Sequence, residues 1–168
     1  MAEKFLPLVG RALQEKGVEL RGDEKTQSIL DCKAAEQTDW ETEYLNAILS
    51  IRVVNSLEEA IAHINRYGSH HTDAIVSTDK EHVERFMTEV DSADVFANCS
   101  TRFADGYLFG LGAEVGISTG KLHARGPMGM EGLCTYKYRL YGNGQILREL
   151  NEGKIHLTHR PIPKELPR

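Results

Sequence analysis

The 168-residue chain has few cysteines, no long apolar run and no basic excess, and each shortage excludes something. Its three cysteines, Cys32, Cys99 and Cys134, are odd in number and scattered. That pattern is neither a disulfide framework nor a zinc site, so the thiols read as reduced ones in a cytoplasmic protein. No apolar stretch approaches the roughly 18 residues that span a bilayer. Met1-Ala2-Glu3-Lys4-Phe5 lacks the basic-then-apolar order of a secretory signal. With 25 acidic against 20 basic side chains the formal charge is −5, which argues against a general nucleic-acid binder. A local basic cluster can still hold an anionic small molecule. No internal repeat or low-complexity tract is present. What remains is 40% hydrophobic and 27% charged residues, an ordinary balance for one globular domain with a real core.

Phe5, Leu8, Val9, Ala12 and Leu13 share one helical face over residues 2–16, and Gly17 is placed to stop that helix. Val18-Glu19-Leu20 suits a short strand. Residues 21–42 are polar and irregular, apart from a helical turn around Thr26–Leu30. The pattern then becomes regular. Ile48–Val54, Ala74–Val76 and Ala93–Ala97 are strand-like. Between them lie two amphipathic helices. Ser56 and Glu59 cap the first, which carries Leu57, Ala60, Ile61 and Ile64; Val83, Phe86, Met87 and Val90 mark the second. This alternation predicts an α/β fold in which the three strands run parallel under helical cover. Ligands of such sheets collect beyond the carboxyl ends of the strands, and Asn98–Arg102 directly follows the third. Cys134–Tyr141 alternates polar with apolar, Gly142-Asn143-Gly144 suits a hairpin turn, and Gln145–Leu150 is its return strand. Residues 151–168, with Pro161, Pro163 and Pro167, read as a flexible tail.

Arg102 sits among Asn98, Ser100 and Thr101. Its planar fork matches a carboxylate or phosphate at two points, and the neighbouring hydroxyls and amide can complete an anion cage. The structural alternative is a tie between a loop and a helix end. Lys121, His123 and Arg125 form a second basic cluster, suited to a surface or subunit contact as much as to a ligand. His70 and His71 have no third ligand nearby in sequence, so no metal site is expected. His156 and His159 read as incidental.

Asn98-Cys99-Ser100-Thr101-Arg102-Phe103, the stretch Phe109–Thr119 and His123-Ala124-Arg125-Gly126-Pro127-Met128-Gly129 form one specific run. With Gly17–Asp23, Asp39–Leu45, His63–Ser69 and Glu89–Ala93, it closely resembles the γ-glutamyl phosphate reductase family of the aldehyde dehydrogenase superfamily. The resemblance extends from Ala2 to about Ile146. It implies a partial aldehyde-dehydrogenase-like catalytic α/β domain over residues 1–133 and an oligomerisation β-hairpin over 134–150. It also implies NADPH-dependent reduction of an acyl phosphate, γ-glutamyl phosphate, to glutamate 5-semialdehyde in proline biosynthesis. In that chemistry a cysteine thiolate displaces phosphate and hydride reduces the thioester.

The family's nucleophile motif, of the form Asn-x-Cys-Glu-Thr, and its nucleotide-binding domain have no counterpart in this sequence. The resemblance therefore implies no catalytic residue here, a chain inactive by itself, and either a homo-oligomer or a missing N-terminal half as partner. It assigns Asn98, Ser100, Thr101 and Arg102 to substrate. Glu43 matches the superfamily's Glu-x-Phe motif, whose glutamate holds the nicotinamide ribose of NADP, with Leu45 in place of the aromatic and Asn46 in place of glycine. A solvated acid among Asp39, Glu41 and Glu43 is the plain alternative. The family carries a small residue at the position of Cys99 and glycine at that of His70. Two further readings stay open: a non-catalytic module pairing with a complete subunit, and a divergent enzyme that recruits Cys99.

Overall fold

Leu6 and Gly10 turn inward from the first helix, α1 (Ala2–Gln14), which ends before left-handed Gly17 at φ 76°. This corrects the expected face: Phe5 and Leu8 are exposed, and the helix packs through Leu6, Val9, Gly10 and Leu13. Gly10 is the reason. A Cβ there would come within 2.8 Å of Leu30 Cδ2, so the missing side chain lets α1 settle onto Leu30. A hydrophobicity pattern gives a glycine no weight.

The computed structural model describes residues 1–158, and the chain divides into two units, Met1–Cys134 and Thr135–Arg168. In the first unit, β1 (Glu19–Gly22) is the centre of a parallel three-stranded sheet, flanked by β2 (Lys33–Ala34) and β3 (Ile48–Ile51). A short helix, α2 (Glu24–Gln27), follows β1. Asp23 Oδ1 accepts from the Thr26 amide at 2.9 Å and from the Thr26 hydroxyl at 2.6 Å, which satisfies the helix start and lets Thr26 be fully buried. Leu6, Leu20 and Leu30 form the core beneath this sheet.

The next elements follow the expected alternation: α3 (Leu57–Tyr67), β4 (Thr72–Ile75), α4 (Lys80–Glu89) and β5 (Asp94–Ala97). Ser56 Oγ accepts from the Glu59 amide at 3.2 Å, while Glu59 reaches back to the Asn55 amide at 2.9 Å, one residue before the usual capping box. Ile61, Phe86 and Val90 interlock between α3, α4 and the strands, and burying a side chain the size of Phe86 contributes about 2–3 kcal/mol.

β4 and β5 pair in parallel, but β3 does not join them. It pairs instead with β1 along its whole length, Glu19 opposite Ile48 to Gly22 opposite Ile51. The three strands expected in one sheet are thus parallel strands of two sheets. Local periodicity locates strands; the choice of edge is a long-range packing decision. Beyond β5 the glycine-rich segment holds a short antiparallel pair, β6 (Ile117–Ser118) with β7 (Gly126–Pro127), and the helical turn α5 (Met130–Leu133).

In the second unit, residues 135–146 form no strand and Leu147–Asn151 is a helix, α6. The expected hairpin over 134–150 is therefore not formed in this single chain. A two-stranded ribbon has no stability without a further sheet or helix to cover it. Tyr136, Tyr138 and Leu140 each remain more than 80% exposed. Of the expected tail, residues 159–168, including His159, lie outside the described residues.

Candidate functional site

Asp39 is an acid withdrawn from solvent. It lies in a 3-10 turn, Gln37–Trp40, and is 5% exposed. Its Oδ1 accepts from the Tyr44 hydroxyl at 2.6 Å and from Arg21 at 2.7 Å, and its Oδ2 accepts from the Glu36 amide at 2.7 Å. The Tyr44 hydroxyl, the Glu36 amide and then Arg21 hold the carboxyl at a pKa of about 2. Burial, and then the Asp39 carboxylate, push the Tyr44 hydroxyl up. Asp39 thus anchors the turn from β1, and Glu43, four residues on, stays exposed. Glu43 keeps the exposure that the plain alternative of a solvated acid expects, while Asp39 beside it is buried.

Glu43 lines a cavity of about 790 Å³ whose walls include Trp40, Tyr67, His71 and Thr72. The aromatic walls are fixed through His63, whose ring centroid lies 5.4 Å from that of Trp40 and 4.9 Å from that of Tyr67. Burial, and then Arg52, hold His63 below its ordinary pKa. Gln37 donates to the Tyr67 hydroxyl at 2.9 Å. The result is a broad, firm recess with an exposed carboxylate at its rim.

Asn98 ends β5 in the left-handed region at φ 56°, where a short polar side chain is tolerated. Its Oδ1 accepts from the Ser77 amide and its Nδ2 donates to the Ser77 carbonyl, both at 2.9 Å, so it locks the loop after β5 to the loop after β4. Ser100 accepts from the Arg102 amide at 3.2 Å and starts a 3-10 turn, Thr101–Phe103, that packs against β4. Thr101 and Arg102 then line a second cavity of about 330 Å³, with His71, Thr72, Ala104 and Asp105. Asn98 stands at the strand's carboxyl end as expected. Thr101 and Arg102 lie instead against the opening residues of β4, because the turn carries them there.

The two cavities share His71 and Thr72 as a wall. Glu43 on one side and Thr101 with Arg102 on the other are thereby brought together, while Asn98 and Ser100 are engaged in shaping the loop. Sequence reasoning missed His71, Thr72 and Asp105; the one available signal was that His71 and Thr72 lead directly into a strand.

The second basic cluster is committed elsewhere. Lys121 and Arg125 pair with Asp91 at 2.5 and 2.8 Å, and they hold its carboxyl at about 2. They strap the glycine-rich segment to the turn before β5. Cys99 is exposed beside the site, Cys134 is exposed, and burial, then Asp31 and Asp23, push the half-buried Cys32 thiol up. Among the described residues no helix is long and apolar enough to cross a membrane, and no cluster of His, Cys, Asp and Glu could hold a metal ion.

Comparison with known proteins agrees with this architecture. The chain is 60% identical over 160 residues to γ-glutamyl phosphate reductase 1 of Synechocystis sp., a match covering 95% of this chain and 37% of that protein. It is 52% identical over 167 residues to the γ-glutamyl phosphate reductase of Acetivibrio thermocellus, covering 99% and 39%. The chain thus spans less than two fifths of the length of these curated relatives. The crystal structure of γ-glutamyl phosphate reductase from Thermotoga maritima matches with a TM-score of 0.81 and 45% identity, over 86% of this chain and 35% of that one. The model of the aldehyde dehydrogenase family matches residues 24–131, and on that match, which takes in both cavities, the chain belongs to the aldehyde dehydrogenase family.

Proposed function

We propose that the chain forms part of the catalytic domain of a γ-glutamyl phosphate reductase, an oxidoreductase of proline biosynthesis acting in the cytoplasm. The observation that carries this reading is the wall shared by the two cavities, with Glu43 on one side and Arg102 on the other. Glu43 is suited to the ribose next to nicotinamide, because an exposed carboxylate accepts from both ribose hydroxyls. Trp40 and Tyr67 give that recess flat apolar walls. NADPH, when bound, supplies the hydride. On the other side the guanidinium of Arg102 and the hydroxyl of Thr101 bind the anionic substrate. Asn98 and Ser100 serve the site by holding the loop that presents them. Placing both ligands across one wall supplies the orientation that such a transfer needs.

The chain by itself is inactive in this reading, because the thiolate that forms the acyl intermediate belongs to a motif outside residues 1–168. Residues 134–146, strand-patterned and unpaired, take up their strand against a neighbouring subunit's sheet edge. The test is an NADP-dependent glutamate 5-semialdehyde dehydrogenase assay. The chain alone should show no turnover, and mixing it with the nucleophile-bearing part of a relative should restore it. Turnover by the chain alone that disappears in Cys99→Ser would overturn the assignment of roles. In the reconstituted enzyme Arg102→Lys should raise KM about tenfold, since lysine cannot reproduce a two-point contact.

A further inference from the structure

His63 stands behind the larger recess and touches both of its aromatic walls, Trp40 at 5.4 Å and Tyr67 at 4.9 Å between ring centroids. Its third contact decides its charge. Arg52, the residue after β3, brings Nη1 to within 2.7 Å of His63 Nδ1. A guanidinium only donates, so Nδ1 accepts and the ring is neutral, with its proton on Nε2. A proton added at Nδ1 would set donor against donor and cation against cation, and the contact would have to open. Arg52 has a second partner within reach. Its Nη2 lies 3.5 Å from Glu59 Oε1, while Glu59 Oε2 accepts from the Asn55 amide at 2.9 Å and from the Asn55 side chain at 3.0 Å. Arg52 and Trp40 also line a third cavity, of about 430 Å³, which gives the guanidinium room to swing. Among the described residues, the charged groups facing His63 are Arg52 and, four residues back on α3, Glu59. Tyr67, four residues on, is its other titratable neighbour and carries Arg66 over its ring at 5.0 Å. Burial and then Arg52 oppose a charge on His63, Glu59 favours one, and the first two prevail.

We propose that His63 is a positioning residue of the larger recess and works as a proton-operated latch. Neutral, it ties Trp40 and Tyr67 to Arg52 and keeps the recess firm. Protonated, it gives up Arg52 to Glu59, and the Trp40 wall loosens. The latch is a property of this chain; that it governs NADPH rests on the proposed function.

The test uses Trp40, the only tryptophan of the chain, whose emission reports the contact with His63. Titration of the full chain from pH 8 to 5 should show one transition, with its midpoint below the ordinary histidine value near 6.5. Far-UV circular dichroism should stay constant through it. His63→Gln should abolish the transition. Arg52→Met keeps the stem but removes donor and charge, and should move the midpoint up. Glu59→Gln removes the acid and should move it down. Shifts of opposite sign separate the charges around His63 from a general loosening of the fold. Constant emission overturns the latch, as does a transition that survives His63→Gln, one that follows loss of circular dichroism, or midpoints that the two charge variants fail to separate. In the reconstituted enzyme the KM for NADPH should rise about fivefold from pH 7.5 to 5.5, the low end of coupling between sites, and stay level in His63→Gln. A Trp40 transition with a level wild-type KM keeps the latch and takes the cofactor out of this recess, against the proposed function.

Discussion

Asp39 and Asp105 are both aspartates of loops that line or support a cavity, and they are used in opposite ways. Around Asp39 every polar partner is spent inside the protein: Arg21, Tyr44 and the Glu36 amide all converge on one buried carboxylate. Around Asp105 the charges of the carboxylate and of Arg102 face open space, and only Oδ1 is spent, on the amides of Tyr107 and Leu108. Polar groups invested in one another hold a turn in position; polar groups held in place but left open are available to a ligand. Glu43 belongs to the second kind, although it lies four residues from Asp39. Proximity in sequence does not decide which kind an acid is.

The largest effect that could break this comparison is on stability. Asp39→Asn should cost about 3 kcal/mol in urea unfolding, because it strips the charge from a buried network and leaves Arg21 with Glu19 alone, at 2.8 Å. Arg102→Lys and Asp105→Asn should each stay within about 0.5 kcal/mol, as surface changes do. If the two regions responded alike, the distinction between invested and open groups would be lost. Next in size is Asn98→Ala, the invested residue of the second region. It removes both bonds to Ser77 and puts alanine at φ 56°. About 2 kcal/mol of lost stability is expected, from the bonds and the backbone together. A thermal midpoint unmoved in that variant would return Asn98 to the open group.

A smaller, graded effect follows acid titration. The carboxyls of Asp39 and Asp91 are held at about 2 in the folded protein, below their ordinary value near 4. Their folded state binds fewer protons than the unfolded chain in that range, so stability is complete above about pH 4 and falls as pH drops toward 2. Asp39→Asn should flatten that fall, measured as urea midpoints at a series of acid pH values. Arg102→Lys should leave it unchanged.

Much of the framework was legible in the sequence, for a physical reason. The helices α3 and α4 and the strands β4 and β5 carry strong local periodicity, with an explicit cap at Ser56, and they form where the pattern puts them. What escaped depended on contacts made far along the chain. The face of α1 turns on Gly10 meeting Leu30, and β3 pairs with β1 rather than β4. The 134–150 segment has a strand's alternation but no covered edge, so the alternation by itself yields no strand. At the site, Arg102 and Glu43 stood out because of their chemistry and motif. His71, Thr72 and Asp105 carry no motif, and only the return of the chain from Asn98 onto β4 brings them beside Arg102.

The smallest effect concerns His70, at the position where the family resemblance implies glycine. The residue sits at φ 60°, a conformation that glycine adopts freely and a histidine adopts at a cost of about 1 kcal/mol. Its Nδ1 donates to the Asp91 carbonyl at 2.6 Å, and one such bond returns about 1 kcal/mol. The two terms offset each other, so His70→Gly should leave stability within about 0.5 kcal/mol of the wild type. His70→Ala keeps the strain and loses the bond, and it should cost about 1 kcal/mol. The difference between the two variants, read from paired urea curves, isolates the backbone contribution. If alanine proved as well tolerated as glycine, the left-handed conformation would not be the reason for glycine at this position.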